Sequence, residues 1–338
     1  MLHPAKAITV AVEIESRIRR GFYTTRLPTT DVLQNEFQAA RQTITRALQI
    51  LSKQGIITTS APRNGVRISR ENLSSGTIAV VVGGNVHKED LCLIKEIMLD
   101  GFEAKMYYSS DKEKFLLERA SRFRGILFIN SSLTKETARG LLARRIPFVS
   151  CNRITFSNDI SFIDYDQEQL IRFMIGHLVK QNCQRIAFFY SSGLEGYNEE
   201  SMRLVRKVKR EFGLPILAYD HFTVSKDFSI SENFINFMKL SLKKEDLPEI
   251  LIAKQNFMKE LESFSEKYHI TYPDSFRFIF HRLKSERIPK QPWVNTFVFS
   301  YPTWRLWIQG YKLLRENILV PESYPRHKYV PQKIVIKL

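Results

Sequence analysis

A chain of 338 residues is longer than one hydrophobic core usually supports, so we expect two or three domains. Hydrophobic residues make up 43% and charged residues 25% of the chain, a globular balance that excludes a disordered protein or a fibre. No apolar run reaches the roughly 20 residues that a membrane-spanning helix needs, and the N-terminus lacks the pattern of a signal peptide. The three cysteines lack metal-binding spacing. We therefore expect a cytoplasmic protein without a membrane partner, a metal or a cofactor.

The positive charge is concentrated near the N-terminus. The formal net charge is +16, and residues 1–75 carry 11 Lys or Arg against 5 Asp or Glu. Residues 37–70 carry no acidic side chain at all. A solvated surface usually mixes both signs, so this acid-free stretch indicates a face that meets phosphates. Chance composition is the alternative, and the local pattern has to decide between the two.

The N-terminal segment has the apolar spacing of three helices followed by two short strands. Apolar residues recur at three- and four-residue steps, and Gly21 and Gly55 end the first and third helices. A threonine precedes the second helix as a predicted cap. The predicted elements are helices at 5–20, 31–37 and 41–54 and strands at 56–59 and 66–68.

Three helices followed by a basic hairpin predict a winged helix-turn-helix DNA-binding domain over residues 1–70, with a polar linker at 71–76. Side chains on the outer face of the third helix would reach phosphates or base edges in the major groove. A protein-interaction module with a basic face is the alternative, and the acid-free stretch favours duplex DNA. The predicted DNA-binding residues are Thr29, Thr30, Arg41, Gln42, Thr43, Thr45, Arg46, Arg63, Asn64, Gly65 and Arg67.

The letters L-P-T at 27–29 and A-R-Q-T-I-T-R-A-L at 40–48 resemble the DNA-binding domain of GntR-family transcription regulators. The resemblance covers about residues 5–70 and implies that Arg41 contacts DNA. The sequence departs from the family pattern at Ala40, where the family has a serine. It departs again at Thr45, where the family has a second arginine. The DNA site that this chain reads need not resemble the common site of the family.

Residues 77–338 alternate between strand-like and helix-like segments, which predicts a doubly wound α/β architecture. The pattern begins a second round near residue 163, and two rounds indicate two lobes with a cleft between them. The predicted strands are 77–83, 125–130, 147–151, 185–190, 215–219, 249–253 and 276–280. The predicted helices between them are 91–99, 112–122, 135–144, 167–181 and 199–212.

The letters I-P-F-V at 146–149, R-I-A at 185–187 and P-E-I-L-I-A at 248–253 resemble the effector domain of LacI-family regulators. That domain is similar to periplasmic sugar-binding proteins. A GntR-like head on a LacI-like body is the arrangement of arabinose-repressor-type regulators. The resemblance implies dimerisation through the body and a ligand in the cleft. The effector-binding positions that it implies are Asn152, Arg153, Arg203, Phe228, Gln255, Asn256, Arg282 and Tyr301.

Arg282 falls near the position of a late aspartate that commonly grips sugar hydroxyls in the family. A cation in place of a carboxylate leads to the hypothesis of an acidic or phosphorylated ligand. The alternative, to which we give equal weight, is that Arg282 faces solvent and that the ligand site in the cleft has diverged from that of the family or binds nothing.

Taken together, these patterns predict a homodimeric transcription repressor whose partners are a double-stranded DNA operator and a sugar or sugar derivative in the cleft. One alternative is a ligand-binding module whose basic head engages RNA or protein. Another is a DNA binder with a non-sugar effector or none. The sequence has no G-x-S-x-G elbow, phosphate-binding loop or paired-histidine metal motif, so we do not expect an enzyme.

Overall fold

The computed structural model describes residues 4–59, 65–73, 75–83, 90–108, 117–129, 133–152, 157–190, 197–225, 227–243, 248–253, 257–269, 277–283, 294–299, 303–321, 325–331 and 334–337. The chain forms two compact units. The first comprises Met1–Asp164 and Thr303–Lys328, and the second comprises Tyr165–Pro302 and Tyr329–Leu338. The first boundary lies beside residue 163, where the sequence pattern begins its second round.

The helices and strands are numbered along the chain. The α-helices are α1 (Pro4–Arg19), α2 (Thr30–Phe37), α3 (Arg41–Lys53), α4 (Asp90–Leu99), α5 (Lys135–Ala143), α6 (Gln167–Val179), α7 (Tyr197–Glu211), α8 (Ile230–Lys243), α9 (Met258–Tyr268) and α10 (Thr303–Leu319). The strands are β1 (Ile57–Thr59), β2 (Val66–Ile68), β3 (Thr77–Val82), β4 (Glu103–Tyr108), β5 (Phe123–Ile129), β6 (Phe148–Ser150), β7 (Phe162–Tyr165), β8 (Ile186–Phe189), β9 (Ile250–Ala253), β10 (Arg277–Leu283), β11 (Val294–Phe299), β12 (His327–Val330) and β13 (Ile334–Lys337).

Helices α1 to α3 and the hairpin of β1 and β2 fold around one apolar cluster, and we call this part the head. Each helix contributes side chains from its predicted apolar stripe, among them Ile14, Leu33 and Ile44, which are fully buried. Leu319 at the end of α10 belongs to the same cluster. The head therefore packs directly against the rest of the first unit.

The segment predicted as a linker contacts both the head and the strands that follow. The Asn72 side-chain amide donates to the Gly55 carbonyl at 2.8 Å, and Leu73 packs against the apolar cluster of the head. The Gly76 carbonyl accepts a hydrogen bond from the Glu103 backbone N–H at 2.9 Å. These contacts bind the described residues of the segment to the first unit.

The first unit contains a six-stranded sheet in the order β12-β7-β6-β5-β3-β4. The pairings from β7 through β4 are parallel. Strands β3 and β5 are buried along most of their length, as expected for parallel strands covered on both faces. Helix α10 packs against β5 and β6.

The second unit contains a five-stranded sheet in the order β13-β11-β10-β9-β8. Its strands are parallel except for β13, which pairs antiparallel with β11. Ile186 and Phe188 of β8 pack against α6 and α7, whereas Ala187 and Phe189 pack against residues of α8 and α9. Helices therefore cover both faces of this sheet, which is the doubly wound arrangement that the sequence predicts.

The strand predicted at 215–219 is wrong, because Ala218–His221 forms a turn of 3-10 helix instead. Asp220 explains the difference. Its fully buried carboxylate accepts the Leu217 backbone N–H at 2.9 Å and pairs with Lys209 Nζ at 2.6 Å. These bonds curl the backbone where the alternating pattern alone favours an extended strand. A side chain that captures the backbone in this way competes with sheet formation.

Of the helix predicted at 112–122, residues 112–116 lie outside the described part, residues 117–119 are helical, and Ala120–Arg122 is a 3-10 turn. The sequence pattern predicts no helix at the positions of α8, α9 and α10. In the part of the chain that the structure describes, no helix combines the length and the apolar character needed to cross a membrane.

Candidate nucleic-acid interface and ligand pocket

Helix α3 presents one polar face to solvent. Its inner face is apolar, because Ile44, Ala47 and Leu51 recur at helical spacing and are fully buried. The remaining positions then point outward. The exposed side chains of this outer face are Arg41, Gln42, Thr45, Arg46, Gln49 and Lys53.

The two arginines of this face, Arg41 and Arg46, are exposed, and neither contacts a carboxylate among the described residues. The arginines at the end of α1 do contact carboxylates, as Arg17 does with Glu36 and Arg19 does with Glu15. The guanidinium groups of Arg41 and Arg46 are thus available to a partner. Five planar N–H donors suit phosphate oxygens and the acceptor edge of guanine.

Thr43 does not belong to the outer face, in contrast to the prediction. Its side chain is only 7% exposed. Position 43 precedes Ala47 by four residues and therefore lies on the same side of the helix, toward the core. Thr43 packs inside the head and is not available to a base edge.

Thr29 immediately precedes α2, and Thr30 is the first residue of that helix. Thr29 has the extended backbone of an N-cap residue, but its side chain makes no capping hydrogen bond. Thr29 is exposed and Thr30 is half-buried. The Thr29 hydroxyl is therefore on the surface, as its predicted role in DNA binding requires.

The hairpin carries part of the predicted wing. Gly65 has a φ of +66°, a left-handed conformation that favours glycine, and Arg67 on β2 is exposed. Arg63 and Asn64 lie outside the described residues. A short segment before α2 joins β2 as a further strand-like neighbour, with an antiparallel bridge between Arg26 and Arg67.

A buried charge network holds α1 of the head against α4 and α10. Asp100, at the end of α4, is its centre. The carboxylate accepts Ser16 Oγ at 2.6 Å, Arg20 Nε at 2.8 Å and Tyr311 OH at 3.1 Å. The Arg315 guanidinium contacts the same carboxylate. Burial alone would raise the pKa of Asp100, but Arg315 and the hydrogen bond from Ser16 outweigh it and lower that pKa.

Arg315 also joins the network to Glu15. Its Nη2 lies 2.8 Å from Glu15 Oε2, and Arg19 contacts the other oxygen of that carboxylate at 2.8 Å. Burial opposes ionisation of Glu15, yet the guanidinium groups of Arg315 and Arg19 hold its pKa below the usual range. The two carboxylates and their arginines stay charged at neutral pH and bind the head to the first unit.

The predicted effector residues are scattered over the described and undescribed parts of the chain. Asn152 is half-buried just after β6. Arg203 is exposed and pairs through two nitrogens with Glu200, one turn earlier on α7, at 2.6 and 2.7 Å. Phe228 is 49% exposed before α8. Arg282 lies on β10, and its side chain is outside the described part. The other predicted effector residues lie wholly outside the described part, namely Arg153, Gln255, Asn256 and Tyr301.

The second unit holds a small pocket between the end of β8 and the start of α7. Tyr190 and Phe222 bring aromatic rings to it, and Asn198 and Glu199 bring polar groups. Burial raises the pKa of the Tyr190 hydroxyl, which therefore stays protonated. The sequence prediction missed these four residues, although a polar pair in the first turn of the helix that follows a buried strand is a recognisable signal in α/β folds.

The sequence matches no protein-family model and no curated protein. Its fold is similar to solved regulator structures. A regulatory protein of the LacI family from Chloroflexus aggregans aligns with a TM-score of 0.58 at 14% identity, over 77% of this chain and 97% of that one. The transcriptional regulator CelR in complex with cellobiose aligns at 0.58 and 14%, over 88% and 90%. Transcription regulator CcpA of Lactococcus lactis aligns at 0.56 and 16%, over 78% and 98%. The predicted LacI-like α/β fold is confirmed.

Proposed function

We propose that this chain is a DNA-binding transcription repressor that responds to a sugar or sugar derivative and acts as a homodimer. In this proposal residues 1–70 form a winged helix-turn-helix of the GntR type, and α3 enters the major groove. Residues 77–338 form the ligand-binding and dimerisation body. The segment at 71–76 connects the two.

The observation that carries the proposal is the outer face of α3. It combines exposed arginines, amides and a hydroxyl on one side of a helix, and Arg41 and Arg46 have no carboxylate partner among the described residues. Phosphate contacts of such arginines position a protein on DNA, and base contacts select the sequence. An acid-free outer face favours both kinds of contact.

The sugar component rests on the fold of the body. Proteins similar to it in fold include CelR bound to cellobiose and a LacI-family CcpA of Weissella paramesenteroides with bound sucrose. The pocket beside β8 adds support, since an aromatic ring next to polar groups can stack on a sugar face and bond its hydroxyls. We propose Tyr190, Asn198 and Phe222 as additional effector contacts. Asn152 and Arg203 remain predicted ones.

We propose ligand binding rather than catalysis for the body. The structures that resemble it are transcription regulators. Arg203 has its two-nitrogen partner in Glu200, so an anionic effector at that position would have to displace a carboxylate.

Selection from a random-sequence DNA pool tests the proposal. The full-length protein should enrich one duplex sequence with two-fold symmetry, and Arg41→Ala should reduce affinity for it about fivefold or more, because a lost bidentate arginine contact removes about 1–3 kcal/mol. Arg139→Ala is the matched control. Arg139 lies exposed on α5, also without a carboxylate partner in the described part, and its loss removes the same charge. Failure to enrich any duplex would contradict the proposal.

RNA or protein recognition by the basic head is the second candidate. Parallel selection from a single-stranded RNA pool separates it from the first. A sequence preference in RNA, with none in duplex DNA, would assign the head to RNA.

Thermal unfolding in the presence of sugars, sugar acids and sugar phosphates tests the effector, because a bound ligand raises the unfolding temperature.

A further inference from the structure

Arg26 and Arg67 occupy directly opposite positions on two antiparallel segments. The Leu27 backbone N–H donates to the Val66 carbonyl at 2.9 Å, and the Ile68 N–H donates to the Thr25 carbonyl at 3.0 Å. These two bonds flank the pair, so the arginines form a non-hydrogen-bonded pair, in which opposite side chains approach most closely. Both side chains are exposed.

The same row of the small sheet extends to β1. Thr58 lies opposite Arg67 on the other side of β2 and is also exposed. The neighbouring positions Leu27, Ile57 and Ile68 belong to the apolar cluster of the head. Alternation along the strands therefore places Thr58, Arg67 and Arg26 together on the solvent face of the sheet.

Two like charges directly across a strand pair repel one another and destabilise the sheet. A structural pair would bring an acid nearby, as Arg17, Arg19 and Arg20 do with their carboxylate partners. Among the described residues, neither Arg26 nor Arg67 contacts a carboxylate. The pair thus has no internal anion to offset its repulsion, although it occupies the closest cross-strand position.

We propose that Arg26 and Arg67 form a phosphate clamp that binds the backbone of duplex DNA beside the helix α3 contact. The inference rests on the proposed DNA-binding function and deepens it by adding Arg26, which the motif of the head does not indicate. A phosphate between two guanidinium groups accepts charge-assisted hydrogen bonds from both. The Thr58 hydroxyl supplies a further donor in the same row. Such contacts bind all sequences alike.

Binding of the full chain to a mixed-sequence duplex, measured by fluorescence anisotropy over a salt series, tests the clamp. Arg26→Ala should weaken binding about fivefold and lower the slope of log affinity against log salt by about one, because one phosphate contact is lost. The double variant Arg26→Ala with Arg67→Ala should weaken binding further, because the phosphate then has no guanidinium partner in the clamp. Arg26→Lys keeps the charge and should restore most of the slope.

Arg139→Ala serves again as the charge-matched control and should leave the slope unchanged. Thermal unfolding supplies a readout that separates binding from structure. Removal of one of two repelling charges should leave the unfolding temperature of Arg26→Ala equal to that of the parent or raise it. A lower unfolding temperature together with an unchanged slope would assign Arg26 a structural role and overturn the clamp.

Three outcomes distinguish failure of the clamp from failure of the proposed function. If the parent protein does not bind duplex DNA, the proposed function fails and the clamp fails with it. If the parent binds and Arg41→Ala loses affinity while Arg26→Ala retains both affinity and slope, only the clamp is overturned. A slope change for Arg26→Ala that appears with single-stranded RNA but not with duplex DNA would also overturn it.

Discussion

A single buried carboxylate, Asp100, connects three helices that are far apart in the sequence. Its side chain is 4% exposed and contacts Ser16, Tyr311 and Arg315. Burial of this charge is favourable only because every oxygen has cationic or hydroxyl partners. We expect Asp100→Asn to reduce the free energy of unfolding by about 3 kcal/mol, since Arg315 would lose one of its two buried carboxylate partners.

The network also makes the stability of the first unit depend on pH in the acidic range. The pKa of Asp100 and that of Glu15 are lower in the folded protein than their ordinary values of 3.8 and 4.5. Stability from this source is fully present above the ordinary values and is lost as pH falls through the lowered ones. Denaturant unfolding at a series of pH values should show a shallower acid decline for Asp100→Asn. Asp159→Asn, at an exposed site, is the control and should change stability by less than about 0.5 kcal/mol. An equal loss in both variants would contradict the role of the network.

At the scale of elements, α10 approaches the sheet of the first unit through a glycine. A Cβ placed on Gly310 would collide with Cys151 Sγ and lie 3.2 Å from Ile163 Cγ2. The buried sheet cannot move aside easily. We expect Gly310→Ala to lower stability by about 1–3 kcal/mol despite the better helix propensity of alanine.

A matched glycine on α6 provides the control for this substitution. A Cβ on Gly176 would lie 3.2 Å from Cζ of Phe212, whose ring is 37% exposed and free to turn toward solvent. Gly176→Ala should therefore leave the midpoint of thermal unfolding unchanged or raise it slightly. If both substitutions lowered the midpoint equally, the close approach of α10 would not be the cause.

Sequence patterns predict those elements whose identity depends on local spacing. The stripe of Ile44, Ala47 and Leu51 fixes both the position of α3 and its outer face. The uniformly apolar run of β3 predicts a buried parallel strand. In contrast, Ala218–His221 depends on the Asp220 contact with Lys209, and a periodicity argument does not include such a bond.

Partners that are remote in sequence cannot be found by spacing. Ser16 and Asp100 are 84 residues apart, and Asp100 and Arg315 are 215 apart. The local spacing around each of these residues indicates only a helix or a helix end and gives no sign of its partner. The bridge of Arg26 to Arg67 poses the same difficulty, because Arg26 lies before α2 in a segment without strand-like alternation. Only the three-dimensional fold identifies these pairs.

At the scale of the whole molecule, the head is part of the first unit. Thr9 of α1 donates to Glu316 Oε1 of α10 at 2.8 Å, and the Gln54 side chain donates to the Leu319 carbonyl at 3.0 Å. Together with the Asp100 network, these bonds attach the head to α10. Any rearrangement of α10 in the proposed regulator would therefore change the placement of α3.

The outer side of α4 is the surface that we expect to join two copies of the chain. Leu91 and Met98 are seven residues apart, so they share one side of the helix, and they are 60% and 62% exposed. Leu99 adds a further exposed apolar side chain at 45%. Exposed apolar side chains grouped on one helix are typical of a protein interface. A second copy fits best, since two heads related by a two-fold axis would read a symmetric operator.

Substitution Met98→Glu tests this surface, because it would place a carboxylate in the apolar contact between two copies. Sedimentation velocity should show a dimer for the parent chain and a monomer for the variant, with at least a tenfold weaker association, since a charge buried without a partner costs several kcal/mol. Phe173→Glu is the control, at a 41% exposed apolar site on α6 of the second unit. A parent chain that sediments as a monomer, or an equal effect of both variants, would contradict the assignment of α4 to the dimer interface.

A monomeric Met98→Glu variant should also bind a symmetric operator more weakly than the parent while it retains affinity for a half-site. The reason is that the dimer contact links the two heads but is no part of the α3 surface.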